Sequence, residues 1–176
     1  MNTLHQEPRQ VFRGYEVGLR PDSHSRARNP FPGVVVLIED EGRVLLGRRA
    51  EGRFLGGRWC LPGGFIEYGE DFLSAGLREV REETGLDVRI DSILSVVSNF
   101  LTPRVHTLVI VLFAHPVSGS AAARPGDDID AVAWHPLQGP LPEMAFEADG
   151  HIISRYHATR FSGAPVDERF AVANAT

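Results

Sequence analysis

Glu79, Glu82 and Glu83 sit in the run Arg78-Glu79-Val80-Arg81-Glu82-Glu83-Thr84 at positions i, i+3 and i+4. On a helix that spacing brings the three side chains to one face. Carboxylates held together repel one another, and crowding raises their pKa values. A cation among them reverses the balance. Mg²⁺ is a hard ion that takes oxygen ligands from a few carboxylates and from substrate phosphates. The triplet therefore reads as a magnesium or manganese site facing a phosphorylated ligand. The competing reading is a solvated acidic helix face, with Arg78 and Arg81 as local charge partners, because charge blocks are usually surface features.

The triplet needs a helix to hold it, and the sequence supplies one. From Asp71 to Thr84, the apolar residues Phe72, Leu73, Leu77 and Val80 recur at helical spacing, and Gly85 stands where a C-terminal cap belongs. Ahead of it lie the apolar Trp59-Cys60-Leu61 and the turn-forming Pro62-Gly63-Gly64. Residues 33–38 are a continuous β-branched run that predicts a buried strand. Residues 39–42 read as a hairpin turn and 43–46 as the returning strand. Residues 50–58 are rich in Gly and Arg and predict a loop. Further strands are expected at 90–100, 107–114 and 129–135, with a loop at 118–128. A second helix is expected at about 142–160, with Phe146, Ile152, Ile153 and Tyr156 facing inward. Residues 1–30 read as an irregular N-terminal arm, 31–162 as one domain and 163–176 as a flexible tail. Strands interleaved with two helices predict a layered α/β protein.

The acidic triplet belongs to a longer pattern: Gly64, then Glu70, then Arg78-Glu79-Val80, then Glu82-Glu83, then Gly85-Leu86. This resembles the Nudix box, Gly–x5–Glu–x7–Arg–Glu–U–x–Glu–Glu–x–Gly–U with U aliphatic, and every fixed position is filled. The lead-in from Trp59 to Gly64 and the strand Val44-Leu45-Leu46-Gly47-Arg48-Arg49 resemble the family's surroundings of the box. The resemblance extends more loosely over 33–137. It implies an α/β/α sandwich with a mixed sheet and a loop–helix–loop catalytic motif. It also implies metal-dependent cleavage of the diphosphate linkage of a nucleoside diphosphate joined to another group.

Carried over position by position, Glu79, Glu82 and Glu83 are the implied metal ligands, with the carbonyl of Gly63 as a further one. Glu70 and Arg78 are implied to hold the helix and its ligands from behind, as metal sites generally require. Gly63 and Gly64 would let the backbone approach metal and phosphate. Members of the family often use another acid from outside the box. Asp128, six residues before Trp134, is the candidate, with Glu143 and Glu147 as the next choices. Asp127 and Asp128 also suit a turn after Pro125-Gly126. Arg48 and Arg49 are candidate phosphate contacts, but strand alternation sends them to opposite faces, so at most one reaches substrate. Trp59 and Phe100 read as core more readily than as base-stacking residues, and Cys60 as a small buried hydrophobe. The seven histidines, at 5, 24, 106, 115, 135, 151 and 157, lack ligand spacing, and none is assigned.

Composition sets outer limits. The 176 residues carry a formal net charge of −5, with 43% hydrophobic and 23% charged residues. That is one ordinary globular domain. Every one of the 18 basic residues is Arg, which excludes a Lys nucleophile or Lys phosphate clamp. No basic stripe suggests nucleic-acid binding. The single cysteine excludes an internal disulfide. No apolar run is long enough to span a membrane, and the first thirteen residues lack an apolar signal core, so a cytoplasmic protein acting on a small nucleotide is expected. A homodimer is compatible with all of this.

The segment after the box, Ser95 to Pro103, lacks the Ser-Gln-x-Trp-Pro-Phe-Pro pattern of NADH-cleaving relatives. Pro103 lies 17 residues after Leu86, resembling ADP-ribose-cleaving ones. ADP-ribose or a nucleoside diphosphate sugar is the expected substrate. Nucleoside triphosphate pyrophosphohydrolysis, a non-catalytic nucleotide-sensing module and isoprenoid diphosphate isomerisation are the alternatives.

Overall fold

The computed structural model describes residues 29–102, 105–117 and 123–166, together with the backbone of two short strands, β1 (Gln10–Phe12) and β2 (Tyr15–Val17). These two pair antiparallel, so part of the expected irregular arm is a small ladder. Pro103 lies outside the described residues.

The main sheet is built on β3 (Phe31–Asp40), whose Val34, Val36, Leu37 and Ile38 are fully buried. β3 turns at Glu41-Gly42 into β4 (Arg43–Arg49). Both turn residues have positive φ, 51° and 77°, the geometry that matches strand twist in a two-residue hairpin. β3 and β4 pair only beside this turn, at Glu39↔Val44 and Asp40↔Arg43. β4 then diverges to pair with β5 (Trp59–Cys60) and β9 (Ile129–Pro136). The edge of β3 that β4 leaves open is taken by β6 (Gly63–Phe65), which pairs with Gly33–Val35. On its other edge β3 runs parallel to β8 (Val105–Pro116), and β7 (Val88–Thr102) closes the sheet antiparallel to β8. The sheet is mixed, as expected.

Strand alternation sends β3 side chains to two cores. Val34, Val36 and Ile38 pack with Ala75, Val80 and Leu86 around helix α1 (Phe72–Thr84). Leu37 packs with Ile152, Ile153 and Tyr156 of helix α2 (Glu147–Thr159). One helix therefore covers each face, giving the α/β/α sandwich. Burying each such aliphatic side chain contributes about 1.5–3 kcal/mol.

Helix α1 is bounded as its sequence predicts. Asp71 caps it by accepting from the Ser74 amide at 2.7 Å, and Gly85 ends it at φ 67°. Its buried face is not the one expected from Leu77, which is 39% exposed. The face against the sheet is made by Ala75, Gly76, Glu79, Val80, Glu83 and Thr84. Gly76 sits so close to β8 that a Cβ there would lie 2.8 Å from Leu112 Cδ1. Small residues at this contact let the helix approach the sheet and turn the two glutamates inward.

Two boundaries differ from expectation. Helix α2 begins at Glu147 because the preceding residues pair with β5 instead. Trp59 donates to the Glu143 carbonyl at 3.0 Å, and Ala145 donates to Trp59 at 2.7 Å. The chain also stays ordered past 162, where Gly163 at φ 78° turns it so that Ala164 and Ile93 exchange both backbone hydrogen bonds. No described helix is long and apolar enough to cross a membrane.

Candidate active site

Arg78 organises the acidic face of α1. Its guanidinium grips Glu70 through two bonds of 2.9 and 3.0 Å, and reaches Glu79 at 2.8 Å, Glu82 at 3.1 Å and the Phe65 carbonyl at 3.1 Å. One residue thus ties the loop before the helix, the helix itself and β6 together. Arg78 holds the Glu70 carboxyl below its ordinary range, while its acidic partners raise the Arg78 pKa.

Glu79 and Glu83 lie on the buried face of the helix, whereas Glu82 is half exposed. Burial raises the pKa of Glu79 against the pull of Arg78. Glu83, only 2% exposed, is pushed up to about 9 by burial, and the charges of Glu79 and Asp128 push the same way. The Gly63 amide donates to Glu83 Oε2 at 2.8 Å. The Glu79 carboxylate lies directly over Gly64, where any Cβ would overlap it. Gly64 is therefore required by close approach of backbone to carboxylate, and Gly63 by its φ of 153° and close approach to the backbone of Val34 and Val35.

Asp128 reaches the same place from far along the chain. The segment before β9 is bonded to the end of α1: Arg124 donates to the Thr84 carbonyl at 2.9 Å and Gly126 to the Glu83 carbonyl at 3.1 Å. A turn closed by Ile129 on the Gly126 carbonyl, at 3.1 Å, then presents Asp127 and Asp128. Both residues serve the turn and face the cavity. Arg49 pairs with Asp128 at 3.0 Å and donates to the Phe54 carbonyl at 2.8 Å. Arg48 points elsewhere and pairs with Asp130 at 2.7 Å, so only Arg49 of the two reaches this site. Glu143 pairs with Arg58 at 3.0 Å and does not line the cavity.

The cavity these groups share measures about 490 Å³. Glu79, Glu83, Asp127, Asp128 and Asp149 are among its lining residues, and among the described lining residues Arg49 is the only base. Phe54, Phe65, Phe146, Val105 and Val109 make the rest largely apolar. Sequence reading missed Asp149. It is 3% exposed, accepts from the Leu61 amide at 3.0 Å and is raised to about 7 by burial. Its signal was present: Asp149 precedes the inward-facing Ile152 and Ile153 by three and four residues, so it shares their helix face. The aromatic wall could not be anticipated, because Phe54 and Phe146 come from a loop and a helix cap.

Two expectations about other residues divide. Trp59 packs half-buried against the core, edge-on to His135 at 5.0 Å, and Cys60 is buried with its thiol pKa raised by burial. Phe100 is not core. It is 76% exposed and stacks on His106 at 4.2 Å.

Five carboxyl groups gather in the lining of one cavity, and every side-chain donor among them is oxygen. This chemistry fits a hard divalent cation. Among the described residues no three acidic or imidazole groups close into a cage, since Arg78 holds Glu79 and Glu82.

The NUDIX domain family model matches residues 29–156, which spans β3 to α2 and contains every group above except the short N-terminal strands. The chain belongs to the Nudix family. An ADP-ribose pyrophosphatase from Methanocaldococcus jannaschii is 38% identical over 128 residues, covering 71% of this chain and 73% of that one. An NAD-capped RNA hydrolase, NudC, from Pseudomonas aeruginosa is 35% identical over 135 residues, covering 76% of this chain but only 46% of its own length. The crystal structure of a NUDIX hydrolase from Nitrosomonas europaea superposes with a TM-score of 0.66 at 27% identity, over 80% of this chain and 77% of that one. The Nudix box thus forms the loop–helix–loop from Gly64 to Leu86, and this Nudix chain is a pyrophosphohydrolase.

Proposed function

We propose that this Nudix hydrolase cleaves the diphosphate of ADP-ribose, or of a closely related nucleoside diphosphate sugar, in the presence of Mg²⁺ or Mn²⁺. The observation that carries the reading is the gathering of Glu79, Glu83 and Asp128 in one cavity, against the close backbone of Gly63-Gly64. Glu79, Glu82, Glu83 and the Gly63 carbonyl would hold the cation. Once bound, it supplies positive charge against the phosphoryl oxygens and acidifies a water.

The chain's own residues do the rest. Arg78 fixes the rotamers of Glu79 and Glu82, and Glu70 fixes Arg78. Asp128, oriented by Arg49, accepts the proton of the attacking water. The apolar wall of Phe54, Phe65 and Phe146 excludes bulk water and offers flat surfaces to a nucleobase. As in other phosphoryl transfers, position and charge account for most of the catalysis.

The archaeal relative's name and the absence of the NADH-type segment after the box support ADP-ribose. The test is a panel of ADP-ribose, nucleoside diphosphate sugars, NADH and nucleoside triphosphates, with products resolved by chromatography. AMP and ribose 5-phosphate from ADP-ribose are expected. Pyrophosphate release from triphosphates, with ADP-ribose left intact, would overturn the reading.

A further inference from the structure

The catalytic cavity has a neighbour. A second cavity of about 560 Å³ lies between β7 and the start of α2. Phe54, Asn99, Leu101 and Phe146 line both cavities, so the two meet along a common wall. The lining of the second differs in kind from the first. Ser98 and Asn99 come from β7, and Glu147 and His151 come from α2, where their i, i+4 spacing puts them on one face. Phe100 adds an exposed aromatic ring beside them.

A hydroxyl, an amide, a carboxylate and an imidazole together offer donors and acceptors for a ligand rich in hydroxyl groups. Among the described residues, no arginine lines this cavity, and the chain has no lysine. Among the described lining residues, a terminal phosphate placed there would meet no guanidinium and would face the Glu147 carboxylate.

We propose that the second cavity seats the terminal sugar of the substrate, and that Glu147 and His151 recognise its hydroxyl groups. The proposal rests on the diphosphate-cleaving reading above. A diphosphate held at Gly63-Gly64 has two ends. The aromatic rings lining the first cavity suit the base, and the Ser98, Asn99, Glu147 and His151 side chains of the second suit the sugar. The same lining disfavours a nucleoside triphosphate, whose far end carries charge and no hydroxyl groups beyond the phosphates. Selectivity for a nucleoside diphosphate sugar is then set by β7 and the first turns of α2, away from the box acids.

The test compares ADP-ribose with the β-methyl ester of ADP, which keeps the diphosphate linkage and lacks the sugar. The measured quantity is the ratio of their kcat/KM values. In the parent protein ADP-ribose is favoured, and Glu147→Ala combined with His151→Ala lowers the ratio about tenfold. Both side chains are exposed, so folding is retained and is checked by thermal unfolding. An unchanged ratio in the double variant overturns the proposal. That includes the case in which both substrates slow equally, as they would if Glu147 were an acid acting on the diphosphate itself. Failure of the parent to hydrolyse either compound would instead overturn the diphosphate-cleaving reading, and this proposal with it.

Discussion

The amide of Gly63 donates to Oε2 of Glu83 at 2.8 Å, joining the loop before the helix to the far end of the helix across twenty residues. That bond holds in place a carboxyl group whose pKa burial raises. It also fixes the backbone next to Gly64, where Glu79 lies too close for any side chain. The Gly pair and the Glu triplet are therefore one construction, in which each half sets the geometry of the other.

Asp128 is placed to work with this pair. Asp128→Asn keeps the size of the side chain and removes its ability to accept a proton. Turnover should fall by the roughly 10²-fold or more typical of losing one positioned acid–base group, with a smaller change in KM. Steady-state kinetics on ADP-ribose decides the matter. Equal kcat in mutant and parent would remove Asp128 from the chemistry, and Asp127 and Asp149, the other unassigned acids in the cavity, would be next to test.

The buried carboxyls also predict a pH dependence for the metal-free protein. Glu83 titrates at about 9 and Asp149 at about 7 in the folded state, both raised by burial, against about 4 in an unfolded chain. Between those values the folded state binds more protons than the unfolded one, so stability falls as pH rises. Unfolding in urea with EDTA should show a loss from about pH 5 to pH 9, at up to about 1.4 kcal/mol per pH unit for each group. Glu83→Gln should flatten the upper part of that window. A flat or rising profile in the parent would contradict the burial of these groups.

Asp149 bears a second kind of load. Its carboxyl takes the Leu61 amide, two residues before Gly63. Asp149→Asn preserves an acceptor and removes a buried charge, so at pH 8 it should be at least as stable as the parent. Asp149→Leu leaves a buried amide unpaired and should cost about 1–3 kcal/mol. Denaturant unfolding of the two variants, compared at one pH, measures the difference. Equal stability of Asn and Leu would mean that the Leu61 bond contributes nothing.

The sandwich and its box helix were readable because they rest on local signals: the β-branched run of β3, the Gly85 cap, and the box spacing itself. What escaped depends on pairing between distant segments. Leu77 looked inward by periodicity, but the small residues Ala75 and Gly76 bring α1 against β8 along another face. The helical pattern upstream of Glu147 was overridden by pairing of residues 143–145 with β5. Asp128 could be located near the site only by its distance from Trp134, whereas its actual anchor is the bonding of 124–126 to the end of α1. The aromatic wall is assembled from β6, a loop and a helix cap, and no single stretch of sequence announces it.

The central claim is that the acidic face of α1 is a cation site built by the fold. A cation that binds only the native state stabilises it by about 2.7 kcal/mol at one hundred times Kd, equivalent to a shift of several degrees for a domain of this size. The decisive measurement is the melting temperature in millimolar Mg²⁺ or Mn²⁺ against NaCl at matched ionic strength, for the parent and for Glu82→Gln combined with Glu83→Gln. The divalent cation should raise the parent's melting temperature by several degrees beyond NaCl, and the double variant should lose most of that rise. If NaCl reproduces the shift, or the double variant keeps it, the carboxylates behave as an ordinary acidic surface and the account is wrong.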